Sequence, residues 1–273
     1  MAIVTISREL AALGDEIAHE LANLLKYRFV DKKRLEDLMK DLGLAEQKME
    51  KYDERKPSFW ASLSQDRDDY LHYLKTAIFS EAGQGNCVFI GRGCAAILRG
   101  MPGVLSIFLS APPEIRIERV KSYFHCDERR ARQIIDHSDR DREGFHQYFF
   151  EMKWKGPENY HLTLNTGILH PQCCAELIQI MLEKTVTKET ETQGSLRIKD
   201  LVLGQQVVHH ILFDKNIPIH FLEVAVQSGA VTLFGVANSQ TLVEAAVSTA
   251  KEVPAAGPVS SEIQVVQEFT IVP

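Results

Sequence analysis

The run Ser7-Arg8-Glu9-Leu10-Ala11-Ala12-Leu13-Gly14-Asp15-Glu16 follows the β-rich stretch Ile3-Val4-Thr5-Ile6 and leads into an amphipathic segment. A strand, a short loop and a helix N-terminus form a setting in which backbone N–H groups and the helix dipole can receive a phosphate. That chemistry also asks for glycines, so that the backbone can close round the anion, and for a lysine that reaches the β- and γ-phosphates. This run has one glycine, Gly14, no lysine, and the acids Asp15 and Glu16 at the helix start. It fails the G-x-x-x-x-G-K-S/T pattern. A plain strand–turn–helix whose acids complement the helix dipole accounts for it without any ligand.

Three further groups bear on the same chemistry. Gly91-Arg92-Gly93 comes directly after the apolar run Cys87-Val88-Phe89-Ile90, where α/β proteins place ligand contacts. Arg116 and Arg119 lie three apart, on one helix face. Ser138-Asp139-Arg140-Asp141-Arg142 alternates charge within a helical stretch. A single charge run is usually a solvated face. Together the three groups supply several guanidiniums, which suit phosphate recognition.

The elements that must position these residues alternate in type. A helix is expected from about 14 to 25, with Ile17, Leu21, Leu24 and Leu25 on its apolar face. Phe29-Val30 reads as a short extended piece, and 32–82 as charged helices broken in the polar stretch 52–69 near Pro57. Cys87–Ile90 and Val104–Leu109 are continuous apolar runs, as expected for strands covered on both faces of a parallel sheet. Helices are expected at about 114–122, 127–136, 140–152 and 171–184, with a strand at 161–165. This alternation predicts a doubly wound α/β domain.

Residues 185–197 are polar and poor in aromatics, and read as a linker. Beyond them the pattern changes to a helix at 199–213, a hairpin turning at Ser228-Gly229, a helix at 239–252 and a strand at 263–266. The chain has 273 residues and a net charge of −6, unevenly spread. Residues 1–188 carry 27 basic and 28 acidic side chains, whereas 189–273 carry 4 and 9. Eight basic residues fall between Arg116 and Arg142, so a near-neutral domain hides a local anion site. The overall acidity argues against bulk nucleic-acid binding.

Five cysteines without a C-x-x-C pair argue against a disulfide framework or a zinc site, and for a reduced, cytoplasmic protein. The adjacent His209 and His210 are expected to point in different directions on a helix, so no metal role is assigned to them. No apolar run is long enough to span a membrane, and the N-terminal residues read as a strand rather than a signal peptide.

The order of the motifs resembles the cytidylate kinase-like proteins, which belong to the P-loop nucleoside-monophosphate kinases. The residues that carry it are Thr5–Leu10 (TISREL), Tyr27–Lys32 (YRFVDK), Val88–Gly93 (VFIGRG), Leu109–Val120 (LSAPPEIRIERV), Ser138–Arg142 (SDRDR) and Asn159–Gly167 (NYHLTLNTG). The resemblance covers 1–184. It implies a P-loop kinase-like parallel sheet flanked by helices, ATP as donor, Mg²⁺, and CMP or dCMP as acceptor.

By position, Ser7, Arg8, Ala11, Ala12, Gly14, Asp15 and Glu16 would line the donor loop. Gly91 and Arg92 would hold the acceptor's phosphate, with Asp31 an acid near the acceptor. Asp139 and Arg142 match the family's D-x-x-R, which closes over the reacting groups, and Arg116 and Arg119 match lid-side arginines. The family's loop resembles G-S-G-G-R-E, and here Ala11–Glu16 reads A-A-L-G-D-E. Alanine and leucine do not readily take the φ > 0 conformations that glycine allows, and Asp15 would repel a triphosphate.

Residues 199–267 resemble a BON domain, through Asp200-Leu201, the Val224–Gly235 core, Ala245-Ala246 and Ile263–Val266. This small α+β domain implies a module near membranes that binds phospholipid or another ligand. Its acidic balance favours an unknown small ligand or self-association instead. The expected organisation is a kinase-like domain at 1–184, a linker at 185–198 and a BON-like domain at 199–273. Two readings follow. One is a kinase transferring phosphoryl from ATP to CMP, dCMP or a similar acceptor. The other is an inactive nucleotide sensor that reports through the C-terminal domain.

Overall fold

In the computed structural model, which describes residues 1–52 and 64–266, the apolar runs become strands buried on both faces. β1 (Ile3–Arg8) pairs in parallel with β3 (Cys87–Ile90) on one side and β4 (Val104–Ser110) on the other. β2 (Arg28–Val30) and β5 (Leu162–Asn165) complete the sheet in the order β2-β3-β1-β4-β5, all parallel. The strand order reverses at β1. Open parallel sheets bind ligands at that point, outside the carboxyl ends of the strands. Arg8, Gly91, Ala111 and Thr166 follow or close the ends of β1, β3, β4 and β5.

α1 (Gly14–Leu25) packs on one face of the sheet beside α8 (Pro171–Thr185). The buried stripe of α1 is Ile17, Ala18, Leu21 and Ala22, with Leu25 partly buried against the same core. Leu24, expected on that face, is instead exposed. Small Ala18 and Ala22 let the helix approach the sheet, which turns the stripe away from Leu24.

Between β2 and β3 lie α2 (Lys32–Asp41), α3 (Glu46–Lys51) and α4 (Ser64–Gly83). Most of the expected break at 52–69 lies outside the described residues. α5 (Cys94–Ile97) follows β3, and α6 (Pro113–Phe124) follows β4. The two helices expected at 127–136 and 140–152 form one, α7 (Glu128–Phe150). Asp127 caps it by accepting the Arg130 N–H at 2.7 Å, and the charged middle stays helical because Asp139, Asp141 and Arg142 are buried.

The chain divides into two compact units, Met1–Gly194 and Ser195–Pro273. Helix α9 spans Lys188–His209, and the unit boundary falls inside it. Thr187 starts this helix by accepting the Thr190 N–H through its hydroxyl, and Gln193 pairs with Glu189 one turn away. The polar residues from Lys188 onward lie in this helix.

In the second unit, β6 (His220–Gln227) runs antiparallel to β7 (Ala230–Ala237), and β8 (Val259–Val265) runs parallel to β7. α10 (Gln240–Glu252) contributes Val243, Ala246 and Ala250 to a core with Val226, Val231, Leu233 and Ile263. The hairpin turn has φ of 51° at Ser228 and 83° at Gly229, the geometry of a tight primed turn. Asp200 on α9 holds it, accepting both turn N–H groups at 2.9 and 3.1 Å. Asp200→Ala leaves these donors without their acceptor. It is expected to lower stability by about 1–3 kcal/mol, read as an earlier chemical unfolding midpoint.

α9 ends in a wide π-turn over His210–Asp214. This turn overrides the divergence expected of adjacent histidines. His210 Nδ1 lies 2.8 Å and His209 Nε2 3.7 Å from the same Asp214 carboxylate. The hydrogen bond from His210 is the main reason the Asp214 carboxyl is held below its usual range. Among the described residues no group of three or more His, Cys, Asp or Glu could hold a metal ion. No described helix is long and apolar enough to cross a membrane.

Candidate functional site: a loop, an uncompensated arginine and a closed square of charges

The loop between β1 and α1 adopts the backbone that its sequence opposes. Ala11 has φ 61° and Leu13 φ 56°, both in the left-handed region. Two features hold it there. Arg119 Nη1 donates to the Ala11 carbonyl at 3.0 Å, and Leu10 N donates to Asp139 Oδ1 at 3.2 Å. Leu13 packs on the main core and Ala11 on the cluster of Ile117, Val120, Ala131 and Ile135. Non-glycine residues in this region cost on the order of 1 kcal/mol or more each and tend to persist at functional sites. Ala11→Gly is therefore expected to raise stability by about 1 kcal/mol, seen as a higher thermal midpoint. A lower one would show that the Ala11 methyl contributes more by packing than its backbone costs.

The loop presents donors. The first intrahelical bond of α1 runs from Ile17 N to Leu13 O at 3.0 Å. The N–H groups of Leu13, Gly14, Asp15 and Glu16 precede it and meet no acceptor among the described residues. Together with the positive end of the helix dipole they form a concavity suited to an anion.

Arg8, the last residue of β1, lies across this loop. A Cβ on Gly14 would collide with Arg8 Cγ and sit 2.9 Å from Arg8 Cβ, so the bare glycine is what lets the arginine stem pass. Its guanidinium reaches Gly91, where a Cβ would lie 2.5 Å from Arg8 Nη1. Gly91 also has φ 74°, which asks for glycine independently. Arg8 makes no hydrogen bond or ion pair among the described residues. Asp15 and Glu16 are exposed in the first turn of α1. Ala12 is fully buried in the core under the loop. Ser7 is buried and hydrogen-bonds the Tyr160 phenol. Burial raises that phenol's pKa to about 12, with the Ser7 bond opposing the shift.

The other expected cations are already engaged. Arg116 is 5% exposed; its Nη1 lies 3.1 Å from Glu9, its Nη2 2.7 Å from Asp139, and its Nε donates to Leu10 O at 2.7 Å. Lys155 closes the figure, with Nζ 2.6 Å from Glu9 Oε1 and 3.0 Å from Asp139 Oδ2. Two acids and two cations thus form a square that joins the end of β1, α6, α7 and the segment before β5. Glu9 Oε2 also accepts the Ala111 N–H at 3.4 Å. Burial pushes the Lys155 ammonium down, but its bonds to Glu9 and Asp139 outweigh this and hold it above its ordinary value.

Arg142 bonds the Ser138 hydroxyl at 2.9 Å and stands 3.9 Å from Asp139. Both Arg142 and Lys155 lie over the ring of Trp154. Arg119, besides Ala11, binds the Thr166 carbonyl at 2.7 Å and hydroxyl at 3.2 Å; burial lowers its pKa, against an opposing pull from Glu16.

The residues expected on the acceptor side sit at the end of β3 and the start of α2. Arg92 is buried, has φ 53°, and its Nη2 pairs with Glu36 on α2. Asp31 caps α2, accepting the Arg34 N–H at 2.8 Å, so its carboxylate has a helix-starting role. The structure therefore gathers Arg8, Ala11, Gly14, Arg116, Arg119, Asp139 and Arg142 round the loop, with Gly91 touching it through Arg8. Asp31 and Arg92 belong to the neighbouring α2 side. Glu9, Glu36, Trp154 and Lys155 escaped the sequence reading. Lys155 and Glu9 stand 146 positions apart, a distance at which no spacing rule operates.

A parallel sheet in this order, with a strand–loop–helix after its central strand, defines a P-loop kinase-like fold. The chain belongs to the cytidylate kinase-like family, whose model matches residues 3–168. A BON domain model matches residues 199–267. No curated protein matches the chain.

Among solved structures, an uncharacterized protein from Eubacterium ventriosum is similar at 19% identity and TM-score 0.54, over 67% of this chain and 99% of its own. A shikimate kinase from Acinetobacter baumannii in complex with shikimate gives 15% identity and TM-score 0.39, over 68% and 96%. A sugar kinase from Janibacter gives 17% and 0.40, over 68% and 99%. At such identities the likeness concerns the fold alone.

Proposed function

We propose that this protein binds ATP at the β1–α1 loop and transfers its γ-phosphoryl group to CMP, dCMP or a similar nucleoside monophosphate. The observation that carries the reading is Arg8, a cation with no counter-ion among the described residues, laid across free loop amides. Keeping an uncompensated guanidinium against a helix N-terminus repels like charge at no structural benefit, unless an anion comes there. Arg8 then stands in for the missing loop lysine. Asp15 sits outside on the first turn, where it meets solvent rather than the centre of the loop.

Phosphoryl transfer leaves little covalent work to the protein. The loop amides and Arg8 hold the donor's phosphates. Arg142, of the D-x-x-R pair, neutralises charge between donor and acceptor. Arg116 and Arg119 fix the loop's shape. Mg²⁺ keeps most of its waters and typically takes one or two carboxylates plus the nucleotide's phosphates. Asp15 and Glu16 are the loop carboxylates without an ion pair among the described residues, and they fit that need. When bound, the metal would neutralise charge on the donor's phosphates. The free thiols fit a cytoplasmic setting, and the BON domain is assigned a ligand-sensing or self-association role.

One observation favours the second reading, a nucleotide sensor without turnover. Arg116 and Arg119 are held by the chain's own acceptors, which leaves few cations for a transition state. Calorimetric titrations with ATP and with CMP, done separately, test what both readings share. Binding of ATP is expected in each; absence of binding by either nucleotide would refute both.

A further inference from the structure

The small sheet of the second unit runs β6-β7-β8, so β6 and β8 are its two edges. An edge strand offers a row of N–H and C=O groups to any chain that can pair with it. Proteins manage such edges with bulges, prolines, lysines or a covering element. The two edges here differ in that respect.

β6 is closed by its own unit. The two-residue turn makes Gln227 and Ala230 a bonded pair, and alternation from there turns the Val224 and Val226 carbonyls outward. α9 meets both. Arg197 Nη1 donates to Val226 O at 3.1 Å, and a Cβ on Gly204 would sit 3.3 Å from Val224 O. A bulge between His220 and Glu223, with Phe221 at φ 52°, ends the regular edge.

β8 carries none of these devices. Its register with β7 is unbroken from Val231↔Val259 to Ala237↔Val265, and the strand contains no proline or lysine. Val231 N donates to Pro258 O and Val266 N to Ala237 O, which turns the even-numbered peptide groups toward β7. Those of Ser261, Ile263 and Val265 therefore point away from the sheet. Among the described residues the Ile263 N–H meets the Ser261 hydroxyl at 3.2 Å, and the Ser261 and Val265 N–H groups meet no acceptor. Val265 and Val266 are exposed hydrophobics at the end of the same edge.

We propose that β8 is the interface between two copies of this chain, pairing antiparallel with β8 of a second copy across a two-fold axis at Ile263. The two small sheets then continue as one. The inference rests on the self-association role proposed above for this unit, and not on the kinase reading. The edge is self-complementary, as an isologous contact requires. Ile263 faces Ile263 of the second copy and Ser261 faces its Val265, so the outward peptide groups meet one another in bonded pairs. Glu262, the only charge on β8, falls beside Gln264 of the second copy, whose amide can donate to it. A two-fold at Glu262 would instead set two carboxylates directly opposite each other, which is unfavourable.

The test is sedimentation equilibrium of the full chain over about 1–100 μM, with hydrogen exchange at both ends of that range. A reversible monomer–dimer equilibrium is expected, with slower exchange of the Ser261, Ile263 and Val265 amides in the dimer. Gln264 is exposed, so its variants should fold normally. Gln264→Glu sets a carboxylate against each Glu262 and should weaken the dimer about fivefold, whereas Gln264→Lys should tighten it by about as much. Val265→Pro removes an outward N–H without breaking a bond to β7, and should weaken the dimer about tenfold.

A chain that stays monomeric throughout, its edge left for a strand of another protein, overturns the proposal and the self-association role with it. A dimer on which the two Gln264 variants do not act in opposite directions overturns the pairing at β8 and leaves self-association through another surface. Should Val265→Pro fail to fold, the Gln264 pair decides alone. The kinase reading stands or falls separately, on the ATP and CMP titrations.

Discussion

Arg116→Ala is expected to destabilise the N-terminal unit by about 3–5 kcal/mol, a fall in thermal midpoint on the order of 10 °C. The substitution does not merely remove one ion pair. Glu9 and Asp139 are both buried, and Arg116 is the buried cation between them. Without it, Lys155 is left to answer both carboxylates from a position that is 45% exposed at the side chain. The Leu10 carbonyl loses its donor as well, and that carbonyl belongs to the strained loop. Leaving a buried charge uncompensated is the expensive outcome, more than the pair is worth when intact. Arg116→Lys should recover part of the loss, since an ammonium cannot meet two carboxylates and a carbonyl with a planar fork. Thermal unfolding of both variants checks this. A midpoint within about 2 °C of wild type for Arg116→Ala would show that the square contributes little.

Arg8→Ala is expected to act in the opposite way, with a large effect on ligand and a small one on the fold. Arg8 has no partner among the described residues, so its removal breaks no bond. Its stem covers Gly14, and loss of that cover should cost about 1 kcal/mol or less. ATP affinity should fall about 10- to 100-fold, the scale of one charge-assisted contact to phosphate. The loss should shrink at high salt, as expected of a partly exposed charge. Arg8→Lys should retain most of the binding, because a lysine serves phosphate as a point charge where it cannot replace a bidentate fork.

Much of the fold could be read from the chain because it rests on local regularities. Continuous apolar runs gave the strands of the parallel sheet, and the limits of α1 follow from its own periodicity and from Gly14. The continuity of α7 is not legible in its sequence, for a physical reason. Polar, charged sequence is compatible with both coil and helix, and tertiary contacts decide. In α7 the deciding contacts are Asp139 with Arg116, Lys155 and Leu10. The conformation of Ala11 and Leu13 runs against their intrinsic preference. It is visible only once Arg119 and the packing beneath the loop are in place. Arg8 could be seen as the residue before a loop. That it crosses Gly14 to reach Gly91 depends on β1 lying next to β3, which no short motif encodes. Lys155 and Glu36 are partners chosen by the fold, and their neighbours in sequence say nothing of them.

A coupled assay of ADP release, with MgATP and CMP together and with each omitted in turn, bears most directly on the central claim. The account predicts ADP release that depends on CMP and exceeds the CMP-free background, and that Arg8→Ala suppresses. ADP release no greater with CMP, dCMP or any other nucleoside monophosphate than without one, from protein shown to bind ATP, would contradict the assignment as a kinase and leave the sensor in its place.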